Sequence, residues 1–180
     1  MPISYYLHDG LISVASFNVV APTNGISGTI EQTQWFLNEY SDLFGVESGE
    51  VFQIVRQADN GTTVFFRQRD DGMPILASEI AVHTANGAII GFNGNYVTEI
   101  NMPTVPELTA QRAEEVALTH SIGDGITGDT QLRYVELTLV GVTTDTTHLT
   151  WAVNTMRSSD QAKVETLYID AFTGALVFRE

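Results

Sequence analysis

Three dipeptides constrain this chain most strongly: Asn60-Gly61, Asp71-Gly72 and Asn86-Gly87, each set between runs rich in apolar and β-branched residues. Asn-Gly and Asp-Gly tolerate the positive φ angles that a tight two-residue hairpin turn demands. Three in succession predict an antiparallel meander with strands near residues 51–58, 62–69, 73–84 and 88–97. Asp9-Gly10, between Tyr5, Leu7 and the run 11–20, predicts a further hairpin at the start, which Pro22, Asn24, Gly25 and Gly28 bring to a close.

Ahead of the meander, Ile30, Thr33, Phe36, Leu37, Tyr40, Leu43 and Phe44 recur at helical spacing. Thr29 and Gln32 fit a capping box at the start of this helix, and Gly45 stands where a terminating glycine belongs. Pro103 and Pro106 then interrupt the pattern and mark a joint. A second helix is expected from about Thr109 to His120, with Ala113, Val116, Ala117 and His120 on its inner face. A glycine-rich loop over 121–131 leads to four strand-like runs near 132–140, 148–156, 163–170 and 175–179. The expectation is an α+β chain of two units, each a helix packed on an antiparallel four-stranded sheet. Its divisions are a β-rich segment over 1–28 and units over 29–100 and 101–180.

At 43% hydrophobic residues the chain can bury a real core. Its 22 acidic residues against 8 Lys and Arg leave a net charge of −14, which repels phosphate backbones and disfavours nucleic-acid binding. No apolar run approaches the roughly 20 residues that cross a bilayer, so membrane insertion is not expected. Residues 1–10 lack the basic and apolar regions of a signal peptide, so none is expected within this chain. With no cysteine there is no disulfide, thiolate nucleophile or Cys-held zinc.

Catalytic patterns fail one by one. His8, His83, His120 and His148 are too far apart for His-x-x-x-His or any other local zinc motif. Counted from Asp124 as a calcium loop, the third, fifth and twelfth positions are Ile126, Gly128 and Val135, where oxygen ligands are required. Asp70-Asp71 and Glu114-Glu115 have no nucleophile or base beside them, and neither Gly-x-Ser-x-Gly nor Ser-x-x-Lys occurs. No catalytic, cofactor-binding or metal-binding residue is therefore expected, and protein binding becomes the leading function. A site assembled from the scattered His83, Asp70 and Arg67 stays open as an enzyme alternative.

The stretches Asp42-Leu43-Phe44-Gly45, Val64-Phe65-Phe66-Arg67-Gln68, Gly72-Met73-Pro74-Ile75-Leu76 and Asn93-Gly94-Asn95-Tyr96, in this order and spacing, closely resemble the fungalysin/thermolysin propeptide domain. Further on, Leu149-Thr150-Trp151-Ala152-Val153 and Asp170-Ala171-Phe172-Thr173-Gly174 resemble the PepSY-type domain that follows it in such propeptides. The resemblance implies a non-catalytic prosegment that assists folding of a secreted thermolysin-like zinc metalloprotease and inhibits it. The implied partner is the protease catalytic domain, no cofactor is implied, and the implied location is secreted or cell-envelope. Partner contact is implied for Phe66, Gln68, Gly72, Pro74, Ile75, Glu79, Asp170 and Gly174. The segments 72–82 and 175–180 are the first candidates for strand addition in a substrate cleft. The chain departs from the family pattern in lacking His-Glu-x-x-His and in carrying Asp70 where an aromatic or aliphatic residue is usual. A free-standing cell-envelope module that binds a protein or small ligand without a protease partner is the alternative.

Overall fold

The computed structural model describes residues 4–8, 11–22, 26–98, 100–144 and 146–180. They contain two α-helices and eleven strands, an α+β fold. They divide into two compact units, one of residues 1–70 and 77–100 and the other of residues 71–76 and 101–180.

In the first unit, β1 (Ser4–His8) and β2 (Leu11–Val19) pair antiparallel, from Ser4 opposite Ser16 to His8 opposite Leu11. The Asp9-Gly10 turn expected between them lies outside the described residues. Helix α1 (Thr29–Glu39) buries Thr33, Phe36 and Leu37. The expected capping box is not formed: Thr29 is already helical, and Gly28 takes the cap position without a side-chain bond. A residue inside the first turn no longer has the extended backbone that aims a capping hydroxyl at the free N–H groups. After Tyr40 the chain tightens into a short 3-10 turn, Ser41–Phe44, which Gly45 ends at φ 61 as expected.

The meander follows as β3 (Phe52–Gln57), β4 (Thr63–Asp70), β5 (Met73–Ala85) and β6 (Ala88–Asn95). Asp71 and Gly72 have φ 45 and 76, and Asn86 and Gly87 have φ 51 and 74. Two successive positive angles define the hairpin turn whose twist matches the flanking strands. At Asn60-Gly61 only the glycine is left-handed, and Asn60 Oδ1 accepts the Thr62 N–H instead. The ladder of this unit runs β1-β2-β6-β5-β4-β3, six strands rather than the expected four, because the entry hairpin joins the meander through β2 and β6. Inward residues of these strands meet α1 in an aromatic core. Phe44 lies at its centre, with ring centroids 4.7 Å from Phe92, 5.3 Å from Phe52 and 5.4 Å from Tyr96.

The second unit includes residues 71–76, an exchange that the expected contiguous division lacks. Ile75 pairs in parallel with Tyr134, and Leu76 packs on Val135, Ala152 and Tyr168. Helix α2 (Ala110–His120) is capped by Thr109, whose hydroxyl accepts the Arg112 N–H at 3.3 Å. Its small inner residues Ala113 and Ala117 bring the helix close to Val153, Leu167 and Ile169, whereas His120 is exposed rather than inward. Strands β7 (Gly125–Ile126), β8 (Gln131–Glu136), β9 (Thr147–Arg157), β10 (Ala162–Asp170) and β11 (Leu176–Arg179) complete it. The order is β8-β9-β10-β11, with β7 also on β9. The run 132–140 stops being a strand after Glu136, whose buried carboxylate accepts from the Thr138 N–H and from the Thr138 and Thr147 hydroxyls. These bonds wind residues 137–140 into a 3-10 turn that Gly141 ends at φ 83.

Candidate protein-binding surface

Alternation along β4 decides the fate of the propeptide-like residues. Val64, Phe66 and Gln68 point inward, while Thr63, Phe65 and Arg67 point outward. Phe66 is fully buried in the core of the first unit and touches no solvent. Gln68 is also buried, and its amide grips the backbone of Val97: Nε2 donates to the Val97 carbonyl at 2.6 Å, and Oε1 accepts the Val97 N–H at 2.9 Å. The Gln68 N–H donates to Ser78 Oγ at 3.2 Å. Both residues therefore act through the fold.

Gly72 is exposed at the tip of a hairpin, Pro74 is half-buried, and Ile75 is fully buried. Glu79 is half-exposed and lies 3.9 Å from the Arg67 guanidinium. Asp170 is buried and organises a turn: Oδ1 accepts from the Phe172 N–H, the Thr173 N–H and the Thr173 hydroxyl at 2.8–3.0 Å. Gly174, at φ 75, closes this turn by donating to the Asp170 carbonyl. Of the eight positions, Gly72, Pro74 and Glu79 offer surface on the first hairpin, and Gly174 offers backbone at the second.

Two of the histidines, His83 and His148, are held in structural bonds. His83 lies between the Thr63 hydroxyl, 3.0 Å from Nδ1, and Asn93 Oδ1, 2.5 Å from Nε2. With Nε2 protonated it donates to Asn93 and accepts from Thr63, which leaves no ring nitrogen for a substrate. His148 Nδ1 donates to Asp170 Oδ2 at 2.9 Å, a pair that sequence spacing did not suggest. No hydroxyl among the described residues bonds to its Nε2, as a nucleophile and base require. Nor do the described residues contain three or more His, Asp or Glu side chains grouped to hold a metal ion.

Two buried carboxylates stay ionised despite desolvation. Burial works to raise the Asp170 pKa, but the Thr173 N–H, His148 and the Phe172 N–H together hold it below the usual value. Burial opposes ionisation of Glu165 too, yet the Ser121 hydroxyl at 2.8 Å, the Ile122 N–H at 3.0 Å and the Arg179 charge keep its pKa lowered. Glu165 thus anchors the loop that follows α2.

Strand edges are the other features available to a partner. Among the described residues, β3 pairs with β4 alone and β11 with β10 alone. The final residue of the 175–180 segment is tied inward, since Glu180 and Thr166 exchange both backbone bonds, at 2.8 and 2.9 Å. On β3, residues 53–57 are all exposed. Arg56 lies over the Phe65 ring with its guanidinium carbon 3.4 Å from the centroid.

Comparison with known families finds a match for this meander. Residues 52–96 match the Fungalysin/Thermolysin Propeptide Motif. The propeptide motif coincides with β3 to β6, from the first residue of β3 to one residue past β6, and α1 lies outside it. The C-terminal domain of YpeB from Bacillus megaterium is similar in structure with a TM-score of 0.45 at 12% sequence identity, covering 99% of this chain and 75% of that one. No curated protein matches the chain. No helix among the described residues is long and apolar enough to cross a membrane.

Proposed function

We propose that this chain is a non-catalytic propeptide that assists the folding of a secreted thermolysin-like zinc metalloprotease and inhibits it. The match of the propeptide motif to residues 52–96 carries this reading. The engagement of His83 and His148 in bonds that serve the fold supports it. Residues 29–100, apart from 71–76, form the propeptide-type module, and 101–180 the PepSY-type module, the latter supported by the Asp170–Gly174 turn. Gly72, Pro74 and Glu79, on the hairpin of β4 and β5, are surface positions that meet the catalytic domain, and the protein acts outside the cell or in its envelope.

A physical route to both activities exists. Strands distant in sequence pair slowly because loop closure costs entropy before any contact forms. A prefolded partner surface lowers that cost, and an open strand edge can occupy a cleft built for extended substrates. The net charge of −14 adds long-range attraction to any basic region of the partner, so salt acts mainly on the association rate. The test is to refold a thermolysin-like catalytic domain from denaturant with and without this chain, then titrate the chain against active enzyme. A higher refolding yield and progressive inhibition are expected; neither effect at micromolar concentrations would overturn the proposal.

A further inference from the structure

We infer that the open edge of β3 receives an extended, carboxylate-bearing segment of a partner protein by strand addition, with acidic side chains seated against Arg56 and Arg67. The inference deepens the proposed partner-binding role by naming the chemistry recognised.

Edge strands that avoid association are commonly short, bulged or studded with charge, because an unpaired row of N–H and C=O groups templates another strand. β3 has a bulge and one charge, Arg56, yet it also presents an apolar pair to solvent. Ile54 and Val55, each 44% exposed, sit side by side where the register with β4 shifts. The cations are gathered at the same place. Residues 1–100 hold only three basic side chains, Arg56, Arg67 and Arg69, against 11 acidic ones, and all three lie on β3 and β4. Stacking on Phe65 holds the Arg56 plane while its N–H donors stay in that plane, aimed sideways as a carboxylate needs. The Arg67 guanidinium lies 3.9 Å from the Glu79 carboxylate, a loose exposed pair, and its side chain is 45% exposed, so it can take a second acid.

A second copy of this chain is a poor occupant. Each copy carries −14, and a two-fold pairing of β3 with itself sets the same arginines against each other, where like charges destabilise a ladder. A foreign segment with alternating apolar and acidic residues meets both features of the edge.

The test titrates a blocked peptide of four Val-Glu repeats, and its Val-Lys counterpart, into the full chain while following backbone amide NMR shifts. Saturable binding of the Val-Glu peptide is expected, with shifts centred on residues 52–57 and no binding of the Val-Lys peptide. The double variant Arg56→Gln, Arg67→Gln should weaken it about tenfold or more, with thermal unfolding unchanged, and Val55→Pro should abolish it. If Val55→Pro unfolds, the arginine variant still decides. Equal binding of the two peptides, unchanged affinity in the arginine variant, or shifts confined elsewhere would overturn the inference. Protease refolding by the parent chain is scored separately: peptide failure with refolding intact sinks only the edge site, and the reverse sinks only the propeptide role.

Discussion

Replacing Gln68 with Met tests whether the propeptide-like residues act by holding the fold. The substitution keeps the volume and burial of the side chain but deletes both bonds to Val97, at 2.6 and 2.9 Å. Each such bond contributes about 1 kcal/mol net, and stranding the half-buried Val97 N–H and C=O adds up to about 1 kcal/mol in all, giving a loss of about 2–3 kcal/mol. For a unit of this size each kcal/mol lowers Tm by about 4–8 °C, so the first unit should melt roughly 10–20 °C lower. Circular dichroism melts measure the shift, and hydrogen exchange at the Val97 amide reads the local bond. Gln68→Glu separates donor from acceptor. Its carboxylate can still accept from Val97 N–H but faces the Val97 carbonyl, so its folded pKa is raised. A raised pKa contributes stability below the unfolded value, about 4.3, and loses it as pH rises through the folded value; this variant should be closer to the parent at pH 4 than at pH 7. A Gln68→Met protein within about 0.5 kcal/mol of the parent, with Val97 still protected, would refute the assigned role.

Asp170 has a folded pKa held below its ordinary value, so its contribution to stability is present above about pH 3.9 and disappears as pH falls through the folded value. Urea midpoints measured from pH 6 to pH 2 should therefore fall, and Asp170→Asn should flatten that part of the curve while costing about 1–3 kcal/mol at pH 7. Backbone geometry gives an opposed pair of substitutions. A Cβ on Gly94, at φ 149, would stand 2.1 Å from the Glu79 carbonyl oxygen, so Gly94→Ala should cost about 2–3 kcal/mol by denaturant unfolding. Ala77 is itself left-handed at φ 60, and Ala77→Gly should raise stability by about 0.5–1 kcal/mol.

What could be read in the sequence was local. Asp71-Gly72 and Asn86-Gly87 announce their turns because the dipeptide itself supplies the required angles, and the period of 4 along α2 reveals Ala113 and Ala117. Interactions between distant segments stayed hidden. Glu165 meets Ser121 and Ile122 across more than 40 residues, and His148 meets Asp170 across 22. The parallel pairing of Ile75 with Tyr134, which assigns 71–76 to the second unit, also has no local signature. Nor has the end of β8: residues 137–140 alternate well enough for a strand, and only the Glu136 bonds to Thr138 and Thr147 show why they wind instead.

The buried positions separate what a motif marks from what a partner touches. Phe66, Gln68 and Ile75 carry the propeptide resemblance, yet each faces inward, and Asp170 spends both carboxylate oxygens on its own turn and on His148. Such residues specify the meander and the closing turn, so any protein using this framework needs them whatever it binds. Partner choice must then come from outward positions that leave the framework unchanged, because specificity is a difference between affinities for alternative partners. Arg56, Arg67 and Ile54 satisfy that condition on β3 and β4. Replacing them should alter which segment is held while the melting behaviour stays that of the parent, whereas replacing Gln68 should alter melting and leave the preference of the folded protein intact.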